Sequence, residues 1–349
     1  MKKTIIIIGI IVVIATIGTI AAFSVLNTRT ANSEAVRIYL PEGTTRDAMI
    51  DTLAHNLPPS AKSIDPIKVI RFINHAAGGR LFPTVRPGSY VVEPHMQTLA
   101  LVRKLRNGQQ DPIRLTIGKF RTPQQLNEYL NSKLMHDDFH GTIDSFHLVL
   151  PDTYEFYWTV TPEQFMQRMR KEYDVFWSAR KCKEVQGSAG TIQEAGTIVL
   201  HSSALHSTTC TPQEIIILAS IIEEETNDKG EKPLIASVYI NRLKRGMPLQ
   251  ADPTVKYAVG DFTLRRILNK HLAVESPFNT YLHAGLPPAP ICLPSKATID
   301  AVLNAPETNY LYFCASDKMD GTHRFATTLA EHNRNAAAFH RALNSRGVR

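Results

Sequence analysis

One eight-residue stretch constrains this chain more than any other feature. Residues 215–222 read Ile-Ile-Ile-Leu-Ala-Ser-Ile-Ile and follow Thr211-Pro212-Gln213-Glu214. The latter is a capping box, with a hydroxyl at the N-cap, a proline at the first helical position and a carboxylate at the third, so it predicts a helix that begins there. Because this helix is apolar on every face, it predicts a domain built around a buried helix.

The same helix runs directly into three glutamates, Glu223, Glu224 and Glu225, before the stop signals at residues 227–230. Carboxylates at a helix C-terminus oppose the helix dipole, at a cost of roughly 0.3–1 kcal/mol each. A local rule that is broken at the end of an otherwise consistent helix is where function is expected. The pattern therefore marks this helix end as the candidate functional site.

Helical spacing separates the three acids. At about 100° per residue, Glu223 lies on a face that is apolar one and two turns earlier, and Glu225 is rotated about 200° away. Apolar neighbours disfavour a charged carboxyl, so they predict a raised pKa for Glu223, as a general acid near pH 7 requires. The other interpretation is a solvated helix end whose acids pair with Lys229 and Lys232.

Short motifs continue in both directions from this helix. They are Leu-Pro-Asp-Thr-Tyr at 150–154, Ala-Ser-Ile-Ile-Glu-Glu-Glu-Thr at 219–226, Ala-Ser-Val-Tyr-Ile-Asn-Arg-Leu at 236–243, Leu-Gln-Ala-Asp-Pro-Thr-Val-Lys-Tyr at 249–257, Ser-Pro-Phe-Asn-Thr-Tyr at 276–281, Gly-Leu-Pro-Pro-Ala-Pro-Ile at 285–291, Tyr-Leu-Tyr-Phe at 310–313, Gly-Thr-His-Arg-Phe at 321–325 and Glu-His-Asn at 331–333. In this order they resemble the endolytic murein transglycosylases, membrane-anchored lytic enzymes of bacterial peptidoglycan. The resemblance implies an α+β catalytic domain.

The resemblance also implies a mechanism. Glu223 aligns with the family's catalytic acid, which protonates the glycosidic oxygen between N-acetylmuramic acid and N-acetylglucosamine. Its conjugate base then takes the proton of the muramoyl C6 hydroxyl, whose attack on C1 gives a 1,6-anhydro end without a second carboxylate. The residues expected to contact sugar are Gln250, Asp252, Asn279, Tyr281 and His323. Glu225 and Arg242 are expected to support the helices through charge-assisted hydrogen bonds.

Several alternatives stay open at this point. Each expected sugar contact could instead cap a turn or, for His323, belong to the core. A water-using muramidase with Asp252 as the second carboxylate is the nearest competing enzyme. A non-catalytic peptidoglycan-binding scaffold is the competing function from another class.

The N-terminus predicts a membrane anchor. Residues 4–27 carry no charge, and as a helix they would span about 36 Å, enough for a hydrocarbon core of about 30 Å. A cleaved signal peptide is the alternative, although its apolar region is normally only about 7–15 residues long. Lys2 and Lys3 precede the run, so the positive-inside rule places the N-terminus in the cytoplasm and the body outside. The predicted location is therefore a single pass of the cytoplasmic (inner) membrane with a periplasmic or extracytoplasmic body.

A strand–turn–helix pattern occurs twice, beginning at Val36 and at Ile113. Such units build compact binding modules, and the resemblance implies a module similar to LysM domains. The predicted fold class is α+β, with an N-terminal transmembrane helix within 1–29, a LysM-like α/β module or modules at 30–145 and the catalytic domain at 146–349. The stretch from Glu184 to Thr209 is predicted to be an inserted loop or a small hairpin.

Composition indicates which classes of partner suit this chain. The chain has 349 residues, of which 43% are hydrophobic, and a net charge of +7, so wholesale disorder is excluded and an anionic partner such as the bacterial wall is favoured. The sequence has no GxGxxG or P-loop motif, which gives no support for nucleotide use, and no CxxC pair, which disfavours a structural zinc site; no cofactor and no metal are predicted. A positive charge of this size is also common on inner-membrane proteins with no nucleic-acid role, so no nucleic acid is predicted. The expected partners are peptidoglycan glycan strands, with peptidoglycan synthases suggested by the resemblance.

Three disulfide pairings are possible for the four cysteines, Cys182, Cys210, Cys292 and Cys314, and free thiols with at most one bridge are favoured.

Overall fold

The computed structural model, which describes residues 27–59, 65–139, 145–185, 211–264 and 266–346, combines short strands with helices. The chain divides into two units. The first contains the described residues up to 115 together with 131–137 and 154–161. The second contains 116–130, the described part of 138–153, and the described residues from 162 onward.

The first unit packs three helices against one antiparallel pair of strands. Its elements are β1 (Val36–Leu40), α1 (Arg46–Asn56), α2 (Pro66–Ala76), β2 (Gly88–Val92) and α3 (Thr98–Asn107). β1 and β2 are antiparallel, with Ile38 opposite Tyr90. Both side chains are buried together with Leu53 and Leu101, because alternate strand residues and one face of each helix share this core. The first predicted strand–turn–helix unit is confirmed.

The second predicted strand–turn–helix pattern, which begins at Ile113, is also present. It consists of β3 (Ile113–Ile117) and α4 (Pro123–Lys133). The hydroxyl of Thr122 accepts the backbone N–H of Gln125 at 3.2 Å, as expected of an N-cap residue. A 3₁₀ turn (Phe146–Leu148) and β4 (Asp152–Phe156) follow, and β4 pairs with β3.

The second unit is built around the buried helix that the sequence predicts. Its further elements are α5 (Pro162–Val185), α6 (Pro212–Glu225), α7 (Lys232–Lys244), α8 (Asp252–Val259), α9 (Asn269–Leu272), α10 (Lys296–Leu303), β5 (Tyr312–Ala315), β6 (His323–Ala326) and α11 (Leu329–Ser345). The capping box forms, since the Glu214 N–H donates to the Thr211 hydroxyl at 3.2 Å and the Thr211 N–H donates to the Glu214 carboxylate at 2.7 Å. Every residue from 215 to 222 is buried. Side chains of α5, α7, α8 and α10 pack around these residues. This packing determines the direction in which each of the three glutamates points.

One part of the predicted fold class is wrong. Among the residues that the structure describes, no helix is both long and apolar enough to cross a membrane. Even α5, with 24 residues, carries charged side chains along its whole length. The segment predicted to span the membrane, residues 4–27, lies outside the described residues except for Asn27. The fold class of the described residues is therefore α+β.

Several other predictions involve residues that lie outside the described ranges. The domain boundaries at 30–145 and 146–349 and the LysM-like character of the first module stay predictions. Most of the atypical segment, residues 186–210, lies outside the described residues and so does Cys210. Cys292 is a buried free thiol and Cys314 a partly exposed one.

Candidate active site

The three glutamates at the end of α6 face three different surroundings. Glu224 forms ion pairs with Lys119 at 2.9 Å and Arg121 at 3.1 Å, both from the segment between β3 and α4. Glu223 faces α7 and α10, and Glu225 faces α7 and a cavity. The predicted separation of Glu223 from Glu225 is confirmed, because the cavity is lined by Glu225 and not by Glu223.

Glu223 is held as an anion. Its Oε2 accepts hydrogen bonds from the Lys232 ammonium at 3.0 Å, from the Ser295 hydroxyl at 3.0 Å and from the Thr298 hydroxyl. The side chains of Lys232 and Glu223 are 9% and 15% exposed. Burial raises the pKa of Glu223, but the hydrogen bonds and the lysine charge outweigh it, so the pKa lies below its ordinary value.

The predicted raised pKa of Glu223 is therefore wrong. The expectation considered only apolar neighbours on the same helix, whereas the cation and two hydroxyls come from residues 232, 295 and 298. The alternative interpretation correctly predicted that Lys232 pairs with one of the acids, Glu223. That pair is mostly buried rather than solvated.

Glu225 has the environment that the sequence assigned to Glu223. Its Oε1 accepts a hydrogen bond from the Tyr239 hydroxyl at 2.6 Å. Burial raises the pKa of Glu225 to about 7; the Tyr239 hydrogen bond opposes this shift, and the negative charge of Asp252 adds to it. Near neutral pH this carboxyl is therefore close to half protonated, which suits proton transfer in either direction.

A cavity of about 320 Å³ opens beside this carboxyl. Its lining residues are Glu225, Tyr239, Arg242, Leu249, Gln250, Asp252, Tyr281, Leu311, Tyr312, Phe313, Leu329 and His332. The volume lies at the lower end of the range for small-molecule sites, and polar groups placed among aromatic and aliphatic walls are typical of such sites.

Three of the five predicted sugar contacts lie in this cavity. They are Gln250, Asp252 and Tyr281. The Tyr281 hydroxyl donates to Asp252 Oδ1 at 2.6 Å. Gln250 has a φ of 51°, a left-handed conformation that costs a non-glycine residue on the order of 1–3 kcal/mol. Such strain persists where the surrounding structure enforces it, and it is concentrated at functional sites.

The other two predicted contacts do not reach the cavity. Asn279 is fully buried, and its amide donates to the carbonyls of Leu272 and Val274, both at 2.9 Å. His323 Nδ1 lies 2.7 Å from a carboxylate oxygen of Glu231. Asn279 thus shapes the loop, as in the turn-capping alternative, and His323 forms a local pair, so neither position supports a sugar contact.

Arg242 joins α7 to two neighbouring segments. Its Nε donates to the Leu311 carbonyl at 2.9 Å and its Nη1 to the Leu249 carbonyl at 2.6 Å. A longer bond of 3.3 Å reaches Gln250 Oε1. These bonds hold the cavity wall in place, as a supporting residue would.

Tyr239, Tyr312 and His332 were not predicted as site residues. The rings of Tyr312 and His332 stack with centroids 5.5 Å apart and planes 29° apart. All three belong to motifs quoted above, which is the signal that could have identified them. Their contribution to one cavity depends on three elements, α7, β5 and α11, that are far apart in sequence. Within the described residues, no cluster of His, Cys, Asp or Glu is arranged to hold a metal ion.

Fold and site together define a class: an α+β protein whose buried central helix presents a carboxyl of raised pKa to a polar cavity. The sequence profile described as the YceG-like family matches residues 38–338. The chain therefore belongs to the YceG-like family, and the predicted family resemblance is confirmed.

Similar proteins agree with this assignment. An endolytic murein transglycosylase of Bacillus subtilis is 46% identical over 121 residues, which are 35% of this chain and 33% of that protein. One of Streptococcus pneumoniae is 34% identical over 142 residues, which are 40% of this chain and 26% of that protein. The matches thus span a third or less of the length of these relatives. A crystal structure of a YceG-like protein from Listeria monocytogenes has a TM-score of 0.51 and 25% identity, covering 87% of this chain and 99% of that one.

Proposed function

We propose that this chain is an endolytic murein transglycosylase, a lyase that cleaves glycan strands of peptidoglycan, and that Glu225 rather than Glu223 is its general acid. The observation that carries the proposal is the position of the Glu225 carboxyl, whose pKa is raised to about 7, in the cavity that also holds Gln250, Asp252 and Tyr281. The activity named for the relatives from B. subtilis and S. pneumoniae supports the reaction.

Each proton in the proposed reaction passes through one carboxyl. Glu225 donates its proton to the oxygen between N-acetylmuramic acid and N-acetylglucosamine as the bond from C1 to that oxygen breaks. The Glu225 carboxylate then accepts the proton of the muramoyl C6 hydroxyl, whose oxygen bonds to C1 and closes a 1,6-anhydro ring. Because the nucleophile belongs to the substrate, its effective concentration is high and no water is consumed. A pKa near 7 suits a group that acts first as acid and then as base.

A water-using muramidase is the second candidate, because Asp252 lies in the same cavity as Glu225. There Asp252 would serve as the second carboxylate, as in glycosidases that use a carboxylate pair. The hydrogen bond from the Tyr281 hydroxyl occupies one of the Asp252 carboxylate oxygens. The transglycosylase needs no second carboxylate and is the simpler match to the site.

The products distinguish these functions. We expect purified peptidoglycan treated with the protein to yield internal fragments whose muramoyl ends are lighter by one water than reducing ends, as mass spectrometry will show. Reducing ends would instead establish the muramidase. Unchanged strand length, with binding retained, would establish a non-catalytic scaffold.

We also propose that residues 27–346 act outside the cytoplasm, where the peptidoglycan substrate lies. A protease added to intact cells stripped of their wall is expected to degrade this part of the chain. A cytoplasmic protein is the control and should survive the same treatment; equal survival of both would contradict the proposal. Peptidoglycan synthases as partners stay a prediction.

A further inference from the structure

Two tyrosine–carboxylate pairs line the cavity. In one, Tyr239 of α7 donates to Glu225 Oε1 at 2.6 Å; in the other, Tyr281 donates to Asp252 Oδ1 at 2.6 Å. Tyr239 is 1% exposed, so bulk water does not compete for its hydroxyl. Both bonds lie at the short end of the range for O–H···O hydrogen bonds.

The first pair determines where a proton on Glu225 resides. A neutral carboxyl has one protonated oxygen and one accepting oxygen. Because the Tyr239 hydroxyl donates to Oε1, the carboxyl proton belongs on Oε2. Oε2 is therefore the oxygen that carries the transferable proton, and the hydrogen bond to Oε1 restrains the orientation of the carboxyl.

The second pair places another carboxylate in the same cavity. The Tyr281 hydrogen bond holds the Asp252 carboxylate in place, and the negative charge of Asp252 favours the protonated form of Glu225. Within the described residues, the other titratable or charged groups around Glu225 and the cavity are Arg242 of α7, Glu224 of α6, Lys256 of α8, Tyr312 of β5 and His332 of α11. Burial and the nearby Arg242 lower the pKa of His332, so at neutral pH it adds little charge.

We propose that Tyr239 and Asp252 act on the proton of Glu225 in opposite directions. Tyr239 is a positioning residue that directs this proton to Oε2 and stabilises the carboxylate once the proton has left. Asp252, held in place by the Tyr281 hydroxyl, is a non-reacting charge that favours retention of the proton. This inference rests on the proposed function, in which Glu225 is the general acid.

The test is the titration of the Glu225 carboxyl in the full chain, followed by the ¹³C shift of labelled glutamate and assigned by its loss in Glu225→Gln. Tyr239→Phe removes a hydrogen bond to the carboxylate and is expected to move the midpoint upward by about one pH unit. Asp252→Asn removes an anion and is expected to move it downward. The alkaline limb of the pH–rate profile should move in the same directions.

The matched control is Tyr90→Phe in the first unit. Tyr90 is fully buried, and its hydroxyl donates to the Arg86 carbonyl at 2.9 Å, so this variant also removes one buried phenol hydrogen bond. It is expected to leave the Glu225 midpoint unchanged. If Asp252→Asn does not fold, Lys256→Gln tests the same effect of neighbouring charges on Glu225. Because the positive charge of Lys256 lowers the pKa of Glu225, its removal should move the midpoint upward.

Midpoints that move in the same direction in Tyr239→Phe and Asp252→Asn, or that stay unchanged in both, overturn the inference. The NMR midpoint does not depend on product formation. Failure of the proposed function would instead appear as reducing ends or intact glycan from the wild-type chain, whatever the midpoints show.

Discussion

Replacing Glu225 with glutamine is expected to slow cleavage of peptidoglycan by about 10²–10⁴-fold, because an amide cannot donate the proton that the leaving oxygen needs. Glutamine has nearly the size of glutamate, and its carbonyl can still accept the Tyr239 hydrogen bond, so the fold should persist. The measurement is the initial rate at which soluble fragments leave purified peptidoglycan. In the wild type this rate should fall as the pH rises through about 7, because only the protonated acid donates.

Glu223→Gln is the matched control for this experiment. It makes the same substitution on the same helix, two residues away, at a carboxylate that faces Lys232 rather than the cavity. We expect it to retain the rate within a few-fold at temperatures well below its unfolding transition. A loss confined to Glu223→Gln would overturn the assignment and return the role of acid to Glu223.

Replacing Lys232 with methionine is expected to reduce the free energy of unfolding by about 3 kcal/mol, since removal of one partner leaves a buried charge uncompensated. The side chains of the pair are 9% and 15% exposed, and Lys232 also donates to the Thr298 hydroxyl at 2.6 Å. Urea denaturation of the variant and the wild type measures the difference. Lys229→Met is the control, because Lys229 is exposed on the neighbouring turn and its loss should change stability little.

The pH dependence of this loss follows from the direction of the Glu223 shift. The pKa of Glu223 is lower in the folded chain than its ordinary value of 4.5, so the contribution of the ion pair is present above that value and is lost as the pH falls through the folded pKa. The difference between Lys232→Met and the wild type should therefore shrink in acid. An equal loss in Lys232→Met and Lys229→Met, or a difference that grows in acid, would contradict this account.

Much of the fold was predictable because its signals are local. The capping box at Thr211 and Glu214 and the eight residues that follow fix a helix and its burial through side-chain chemistry within a few positions. The strands at 36–40 and 113–117 follow from turn residues and from short segments in which polar and apolar side chains are interspersed. The family followed from the order of several motifs, each of them weak alone.

The site was only half predictable. Helical spacing showed that Glu223 and Glu225 face different surroundings, and the loop motifs supplied Gln250, Asp252 and Tyr281. The buried Asn279 could not be distinguished from a sugar contact, because a polar residue on a loop can serve either purpose until its hydrogen-bond partners are known.

The sequence by itself determined the buried helix, the three acids at its end and the family to which the chain belongs. Only the tertiary structure decided which acid has the raised pKa. The proton affinity of a carboxyl depends on every charge and hydrogen-bond donor within a few ångströms. For Glu223 these come from residues up to 75 positions away, and for Glu225 from Tyr239 and Asp252 on two other helices. No periodicity within one helix contains that information.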